Sequence, residues 1–301
     1  MSIKCPVLET GRNSVRPSTT ARMIVCRLVT CLLYLEFFKK KKKVGLVLGS
    51  GGARGLAHIG VIKTLLKNKV PIDFIVGSSS GALVGGLFAS WGRIDDLEKM
   101  VRGVTYKDLA KVLVDPTWKG GLIKGGKTLE FLRKLFKGER IEDLKIPFAA
   151  VATDVGTAET VIFSKGGLAE AIRASVSVPL VYSPVLTGGR LLVDGGVSSP
   201  VPVEVAKNMG AEIIIAVNLD GVYFSAGNHD GSLSSSTIDI LKDSYFALRY
   251  NLAKKEVRGA DVVIEPAMEY IEDFDFIRGK EAIEVGEKAT EKMMGRIKEL
   301  L

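Results

Sequence analysis

A chain of 301 residues, 47% apolar and 25% charged, holds enough material for one large α/β domain with its own core. Its net charge of +8 is local: residues 1–43 carry ten Lys/Arg against two Glu, while residues 44–301 balance at 32 against 32, which excludes a domain that grips nucleic acid by bulk charge. The three cysteines, Cys5, Cys26 and Cys31, all precede residue 39, so no disulfide framework and no cysteine-based metal or redox site can form in the remainder, in keeping with a reducing cytoplasm.

Residues 1–43 read as a basic tail. Met1–Thr20 is polar, holds Pro6 and Pro17, and has the composition of a disordered segment. Met23–Phe38 is apolar but broken by Arg27 and Glu36, and its 16 residues fall short of the roughly 20 that a bilayer span needs. Lys39–Lys43 follow where a signal peptide would show a small-residue cleavage site. The readings that stand are an interfacial segment held by these five lysines against anionic lipid, a loosely attached helix, an upstream translation artefact and, least of all, a true span.

Residues 44–301 form the predicted domain. Val44–Leu48 is a charge-free strand of the kind buried on both faces, followed by the loop Gly49–Gly55 and a helix carrying Leu56, Ile59, Val61, Ile62, Leu65 and Leu66. Phe74–Val76 is a second strand that runs straight into Gly77-Ser78-Ser79-Ser80-Gly81 and a helix over Ala82–Ala89. Strand, G-x-S-x-G, helix is the setting of a nucleophile elbow, with Ser79 exposed at the strand end and Gly77 and Gly81 letting the backbone turn.

The span Trp91–Lys145 has helical spacing at Leu97, Met100 and Val101 and again at Leu129, Leu132, Leu135 and Phe136; it reads either as an inserted helical cap over one end of the sheet or as ordinary crossover helices. Ile146–Asp154 is the next strand, then a short strand at Thr160–Phe163 and a helix at Leu168–Ser175. Leu191-Leu192-Val193-Asp194-Gly195-Gly196 is a strand ending in an acid on a glycine turn. A helix at Val203–Met209, the apolar strand Glu212–Asp220, a Ser/Gly/Asn-rich loop at Gly221–Thr237, a long helix from Ile238 to Arg258, a strand at Asp261–Glu265 and a helix at Gly279–Leu301 complete the chain. This alternation predicts a three-layer α/β fold, a mostly parallel central sheet with helices on both faces.

A serine hydroxyl needs a base within hydrogen-bond reach to act as a nucleophile at neutral pH. His58, early in the first helix, and His229, in the Gly221–Thr237 loop, are the only histidines, and neither position favours that role. A carboxylate is the better candidate, and Asp194, Asp154 and Asp220 all end strands, where active sites of open α/β sheets collect. A helix-cap or turn role is open for all three.

Two other strings compete. Gly121-Leu122-Ile123-Lys124-Gly125-Gly126-Lys127-Thr128 satisfies the phosphate-binding pattern G-x-x-x-x-G-K-T, and Ile213–Asp220 could pass for a strand ending in a magnesium-binding acid. The strand that should feed such a loop is broken, because Val112–Asp115 is followed by Pro116-Thr117-Trp118-Lys119. A dinucleotide fingerprint at Gly49–Gly55 fails because Ser50 and Arg54 occupy glycine positions and no acid ends the strand near Val76.

Gly51-Gly52-Ala53-Arg54-Gly55, then Gly77-Ser78-Ser79-Ser80-Gly81, then Asp194-Gly195-Gly196, in that order, resemble the patatin-like phospholipases, above all the bacterial members related to the neuropathy-target-esterase catalytic domain. Val44–Gly49 and Gly55–Val61 share the likeness, which is strong over residues 44–203 and weaker through Ala260–Pro266 and Phe274–Gly286. One departure is Ser50, where the family's glycine motif usually begins with Gly. The resemblance implies a Ser–Asp dyad without histidine: Ser79 as nucleophile, Asp194 as base, and an oxyanion held by backbone amides of Gly51, Gly52 and Ala53 beside Arg54 and Gly55. Donors of that kind contribute on the order of 3 kcal/mol each in comparable hydrolases.

It further implies a fatty acyl ester substrate, phospholipid or lysophospholipid, and no cofactor. From the residues themselves, no acidic ligand cluster of the usual loop type appears, so no metal is expected, and the cysteine placement with the interfacial reading of Lys39–Lys43 predicts a cytoplasmic protein with peripheral contact at the inner membrane surface. A soluble carboxylesterase or thioesterase of the same fold is the near alternative. A nucleotide-binding protein built on Gly121–Thr128 and an idle lipid-binding protein are the distant ones.

Overall fold

Charge-free runs become strands whose every residue is buried: β1 (Val44–Leu48), β2 (Phe74–Ser78) and β7 (Ile213–Val217), joined by β3 (Phe148–Asp154), which ends in an acid. A strand apolar at every position suits a sheet covered on both sides. The computed structural model describes residues 42–117, 121–221, 236–268, 270–272 and 275–301. The segment Met23–Phe38, Lys39–Lys41, Trp118, Lys119 and His229 lie outside the described residues.

The sheet runs β5-β6-β3-β2-β1-β7-β8, with β5 (Val185–Thr187), β6 (Arg190–Asp194) and β8 (Val262–Ile264) completing the path and β4 (Thr160–Phe163) pairing with β3. From β3 to β8 every pairing is parallel. The other three are antiparallel: β4 and β6 against β3, and β5 against β6. The β5–β6 hairpin, which hydrophobic pattern alone did not predict, turns at Gly188-Gly189, both with positive φ (55° and 76°), as a tight right-twisting hairpin requires.

Alternate side chains of each strand enter two cores. On one side Leu46, Leu48, Ile75 and Ile215 meet α1 (Ala57–Lys67), α2 (Ser80–Trp91), α3 (Ile94–Arg102), α5 (Gly126–Phe136), α6 (Leu168–Ser175) and α9 (Gly279–Leu300). On the other, Val47, Val76 and Val151 meet α7 (Val203–Asn208) and Ala253 of α8 (Thr237–Glu256). A buried Leu or Ile stabilises by roughly 1.5–3 kcal/mol, so the many residues shared across these faces fix the layering. α1 and α9 approach most closely where a Cβ on Gly60 would lie 2.0 Å from Ile283 O and one on Gly286 2.1 Å from Ala57 O.

The span predicted as either cap or crossover helices belongs to the layer, because Leu97, Leu132 and Phe136 are buried in the same core as the sheet. Only α4 (Tyr106–Leu113) between them is largely solvent-facing. Residues Lys42–Leu301 form one compact unit. Lys42 Nζ donates to Leu300 O (2.9 Å) at the end of α9, and Lys43 O accepts from Glu212 N and Ile213 N. Among the described residues no helix is long and apolar enough to cross a membrane.

Candidate active site

Ser79 sits between the end of β2 and the start of α2 with φ 53° and ψ −119°, a conformation that L residues avoid and that costs about 1–3 kcal/mol. The glycines around it are required by contact. A Cβ on Gly77 would fall 2.5 Å from Ala82 N, and one on Gly81 2.1 Å from Leu48 O. The elbow is braced from α6, whose last residue, Ser175, accepts Ser79 N–H through Oγ at 2.9 Å.

The acid arrives from the opposite direction. β6 runs antiparallel to β3 with Asp194 opposite Ala152, while Ser78 lies opposite Val151 on β3's other side, so the register brings Asp194 level with the elbow. Strand ends do not converge here as in a wholly parallel sheet; an incoming and an outgoing strand meet instead. Ser79 Oγ donates to Asp194 Oδ2 at 2.5 Å, and Gly196 N–H donates to Oδ1 at 2.7 Å. The main chain of Asp194 is pinned by Ser177 O (2.9 Å) and Thr153 Oγ1 (2.8 Å). Burial pushes its carboxyl up to about 6, against the lowering effects of the Ser79 hydroxyl, the Gly196 amide and Arg249, with Asp220 adding to the rise.

The other strand-end acids go elsewhere. Asp154 Oδ1 accepts from Gly156 N at 2.9 Å in its own turn, and Asp220, beyond the end of β7, holds the guanidinium of Arg249 through both oxygens (2.7 and 2.8 Å). His58 is fully buried and its Nε2–H donates to Gly49 O at 2.8 Å. Burial lowers it to about 4, so it is neutral at physiological pH and braces the glycine loop.

That loop leaves β1 with Gly49 N bonded to Val217 O and Ser50 N to Pro200 O, then enters a 3₁₀ turn, Gly52–Leu56. Gly51 caps this turn, and Gly52 and Ala53 are its first residues, whose amides have no acceptor within a helix by geometry. Gly52 has φ 57°, which glycine adopts without strain. A Cβ on Gly55 would lie 2.3 Å from Ser80 Cβ, so the loop packs directly on the elbow. Arg54 is 1% exposed and pairs with Asp220 at 3.3 Å; the site is thus braced by a buried ion network. Gly195 packs against Val151 O, and beside Gly196 lie Ser50 Oγ and Arg249 Cδ. Ser175, Ser177, Thr153 and Arg249 are the site members that sequence reasoning did not find.

The phosphate-loop string folds as something else. Residues 112–113 end α4, so no strand feeds it, and Asp115 Oδ2 already accepts from Gly126 N (2.8 Å) and Lys127 N (3.3 Å), the amides a phosphate would need. Lys127 Nζ donates to Val114 O at 2.9 Å. Lys127→Ala is therefore expected to leave ester hydrolysis within about twofold of wild type; loss of activity together with nucleotide binding in the wild type would revive that reading. A cavity of about 520 Å³ between α5, α6 and β5, walled by Leu129, Phe163, Ala174 and Val185, contains neither Ser79 nor Asp194 in its lining.

Comparison with known proteins gives a consistent picture. The family profile of the patatin-like phospholipases matches residues 46–207, more than half of the chain. An uncharacterized NTE family protein of Mycobacterium tuberculosis is 41% identical over 179 residues, 60% of this chain and 49% of the relative. Lysophospholipase NTE1 of Kluyveromyces lactis is 37% identical over 189 residues, 60% of this chain and 13% of that protein. The chain thus spans about half the length of the mycobacterial relative and a small part of the yeast one. Among solved structures, VipD from Legionella pneumophila shares the fold with a TM-score of 0.57 at 14% identity, over 85% of this chain and 67% of that one.

Proposed function

The chain belongs to the patatin-like phospholipase family, and on that premise we propose that it is a serine acyl hydrolase that cleaves fatty acyl esters of lipids through a Ser79–Asp194 dyad. The observation that carries this reading is the 2.5 Å bond from Ser79 Oγ to Asp194 Oδ2, between residues 115 apart in the chain. In acylation the Ser79 Oγ–H proton passes to Oδ2 as Oγ attacks the ester carbonyl, and the displaced electron pair collects on the carbonyl oxygen. Gly196 N–H holds Oδ1, which keeps Oδ2 turned to the hydroxyl.

Amides of Gly51, Gly52 and Ala53 receive the oxyanion, and the positive end of the turn that they open adds to the same field. Asp194 then returns its proton to the leaving alkoxide, afterwards takes one from the water that attacks the acyl carbonyl, and gives that proton to Ser79 Oγ as the bond to the acyl group breaks. Arg54, held by Asp220, serves in this reading to fix the glycine loop rather than to bind a lipid phosphate.

Lysophospholipid or phospholipid is the substrate class we favour, supported by the family and by the name of the yeast relatives. The test is fatty acid release from lysophosphatidylcholine, from phosphatidylcholine vesicles and from a soluble p-nitrophenyl ester, by wild type and Ser79→Ala. Release from lipid by the wild type alone is expected. Turnover of the soluble ester with both lipids left intact would overturn the lipid assignment in favour of a carboxylesterase or thioesterase.

A further inference from the structure

Singly exposed apolar side chains are ordinary on a protein surface, but α8 gathers three large ones: Ile240 at 52% exposed, Leu241 at 53% and Leu248 at 71%. The helix has two opposed faces. Phe246, Arg249 and Ala253, at spacings of three and four, are buried against the body of the domain. Leu241, Ser244, Leu248, Asn251 and Lys255 recur at the same spacings and are all exposed. The two leucines therefore share the outward face, two turns apart.

Charge on this helix is sorted as well. Lys242, Lys254 and Lys255, with Arg258 in the turn that follows, are exposed. The three acids of α8 are half-buried. Asp239 accepts from Ser236 Oγ at the helix start (2.7 Å), and Glu256 accepts from Ser199 Oγ (2.6 Å) and Val201 N (2.8 Å), which leaves Asp243 at the flank. Residues 44–301 as a whole are balanced in charge, so the cations presented here are a local feature.

We propose that the outward face of α8 is the surface by which the protein docks on an anionic phospholipid bilayer. Ile240, Leu241 and Leu248 enter the boundary of headgroups and acyl chains, while Lys242, Lys254, Lys255 and Arg258 meet lipid phosphates. A helix lying in the plane of an interface combines leucines and lysines in this way. A groove on a protein, or a second copy of the helix, asks instead for a continuous apolar stripe, and Ser244 and Asn251 interrupt this one.

Position ties the surface to the reaction. The inner face of α8 packs on Gly195–Val197, the turn directly after Asp194, and Val197 is itself 38% exposed. A bilayer against the outer face lies about one helix diameter, 10–12 Å, from the turn that holds the base. The inference rests on the lipid reading above and adds the surface that brings the dyad to its substrate.

The experiment uses the full chain with vesicles of phosphatidylcholine, alone or mixed with phosphatidylglycerol. Co-sedimentation is measured for wild type, Leu241→Ser/Leu248→Ser, Lys254→Gln/Lys255→Gln and Ser79→Ala, beside hydrolysis of a soluble p-nitrophenyl ester. Wild type should bind the mixed vesicles more tightly. The leucine variant should bind both kinds about tenfold more weakly. The lysine variant should lose about fivefold per lysine on mixed vesicles alone. Both should hydrolyse the soluble ester within about twofold of wild type, since all four side chains are exposed.

No vesicle binding by wild type, or undiminished binding by either variant, overturns the inference. If the leucine variant does not fold, the lysine variant suffices. A dimer in free solution that the leucine variant dissolves assigns the face to a second copy and overturns it too. Ser79→Ala keeps the two readings apart, because it should bind vesicles like wild type and release no fatty acid. Fatty acid release by that variant sinks the dyad and leaves the docking face standing. Its inactivity, with vesicle binding indifferent to α8, sinks the docking face alone.

Discussion

Replacing Ser79 with alanine is expected to abolish labelling by a fluorophosphonate probe and to lower ester hydrolysis by about 10⁴-fold or more. Three consecutive serines occupy the elbow, so the prediction is specific to one of them. Ser79 Oγ is the hydroxyl that meets Asp194, whereas Ser78 Oγ and Ser80 Oγ are buried without a hydrogen-bond partner among the described residues. Ser80→Ala should therefore still label. Stability offers a second readout. The positive φ at residue 79 costs alanine about 1–3 kcal/mol that glycine escapes, so Ser79→Gly should melt above Ser79→Ala while both stay unlabelled. Covalent labelling that survives in both variants would remove Ser79 from the mechanism.

The elbow could be read from the chain because its parts are contiguous. A charge-free strand, two glycines four apart and an apolar helix are local patterns, and the contacts of Gly77 with Ala82 and of Gly81 with Leu48 show why the spacing is needed. Asp194 was legible as an acid before Gly195-Gly196, but its path was not. Alternation of strands and helices suggested parallel strands, whereas Asp194 reaches Ser79 on an antiparallel hairpin whose signal, Gly188-Gly189 between two short, largely apolar runs, is only a turn deep.

Arg249 was out of reach altogether. Lys and Arg on a long helix usually face water, and nothing local to α8 distinguishes the one that turns inward to Asp220 across 29 residues of chain. Likewise a serine at a helix end reads as a cap, so Ser175 gave no sign that it braces the amide of Ser79. Three-dimensional charge pairing is invisible to periodicity.

Asp194→Asn is expected to lower hydrolysis by about 10²- to 10⁴-fold, the span of a positioned general base, while making the protein more stable at neutral pH. Both effects have one cause. Burial holds the folded carboxyl at about 6 against an ordinary value of 3.8. Below pH 4 both folded and unfolded chains carry the proton there and the group is neutral in the balance. Between about pH 4 and 6 the unfolded chain releases its proton first, so stability falls as pH rises; above 6 the loss is complete, about 3 kcal/mol for a difference of this size. Asparagine removes that penalty.

The melting temperature of Asp194→Asn should therefore exceed wild type at pH 8 and converge on it towards pH 4. In the wild type kcat/KM should climb through a midpoint near pH 6 and level off above it, because only the carboxylate can take the Ser79 proton. A melting-point difference that ignores pH, or a wild-type profile already flat at pH 5, would mean that this carboxyl is an ordinary acid and that the base lies elsewhere.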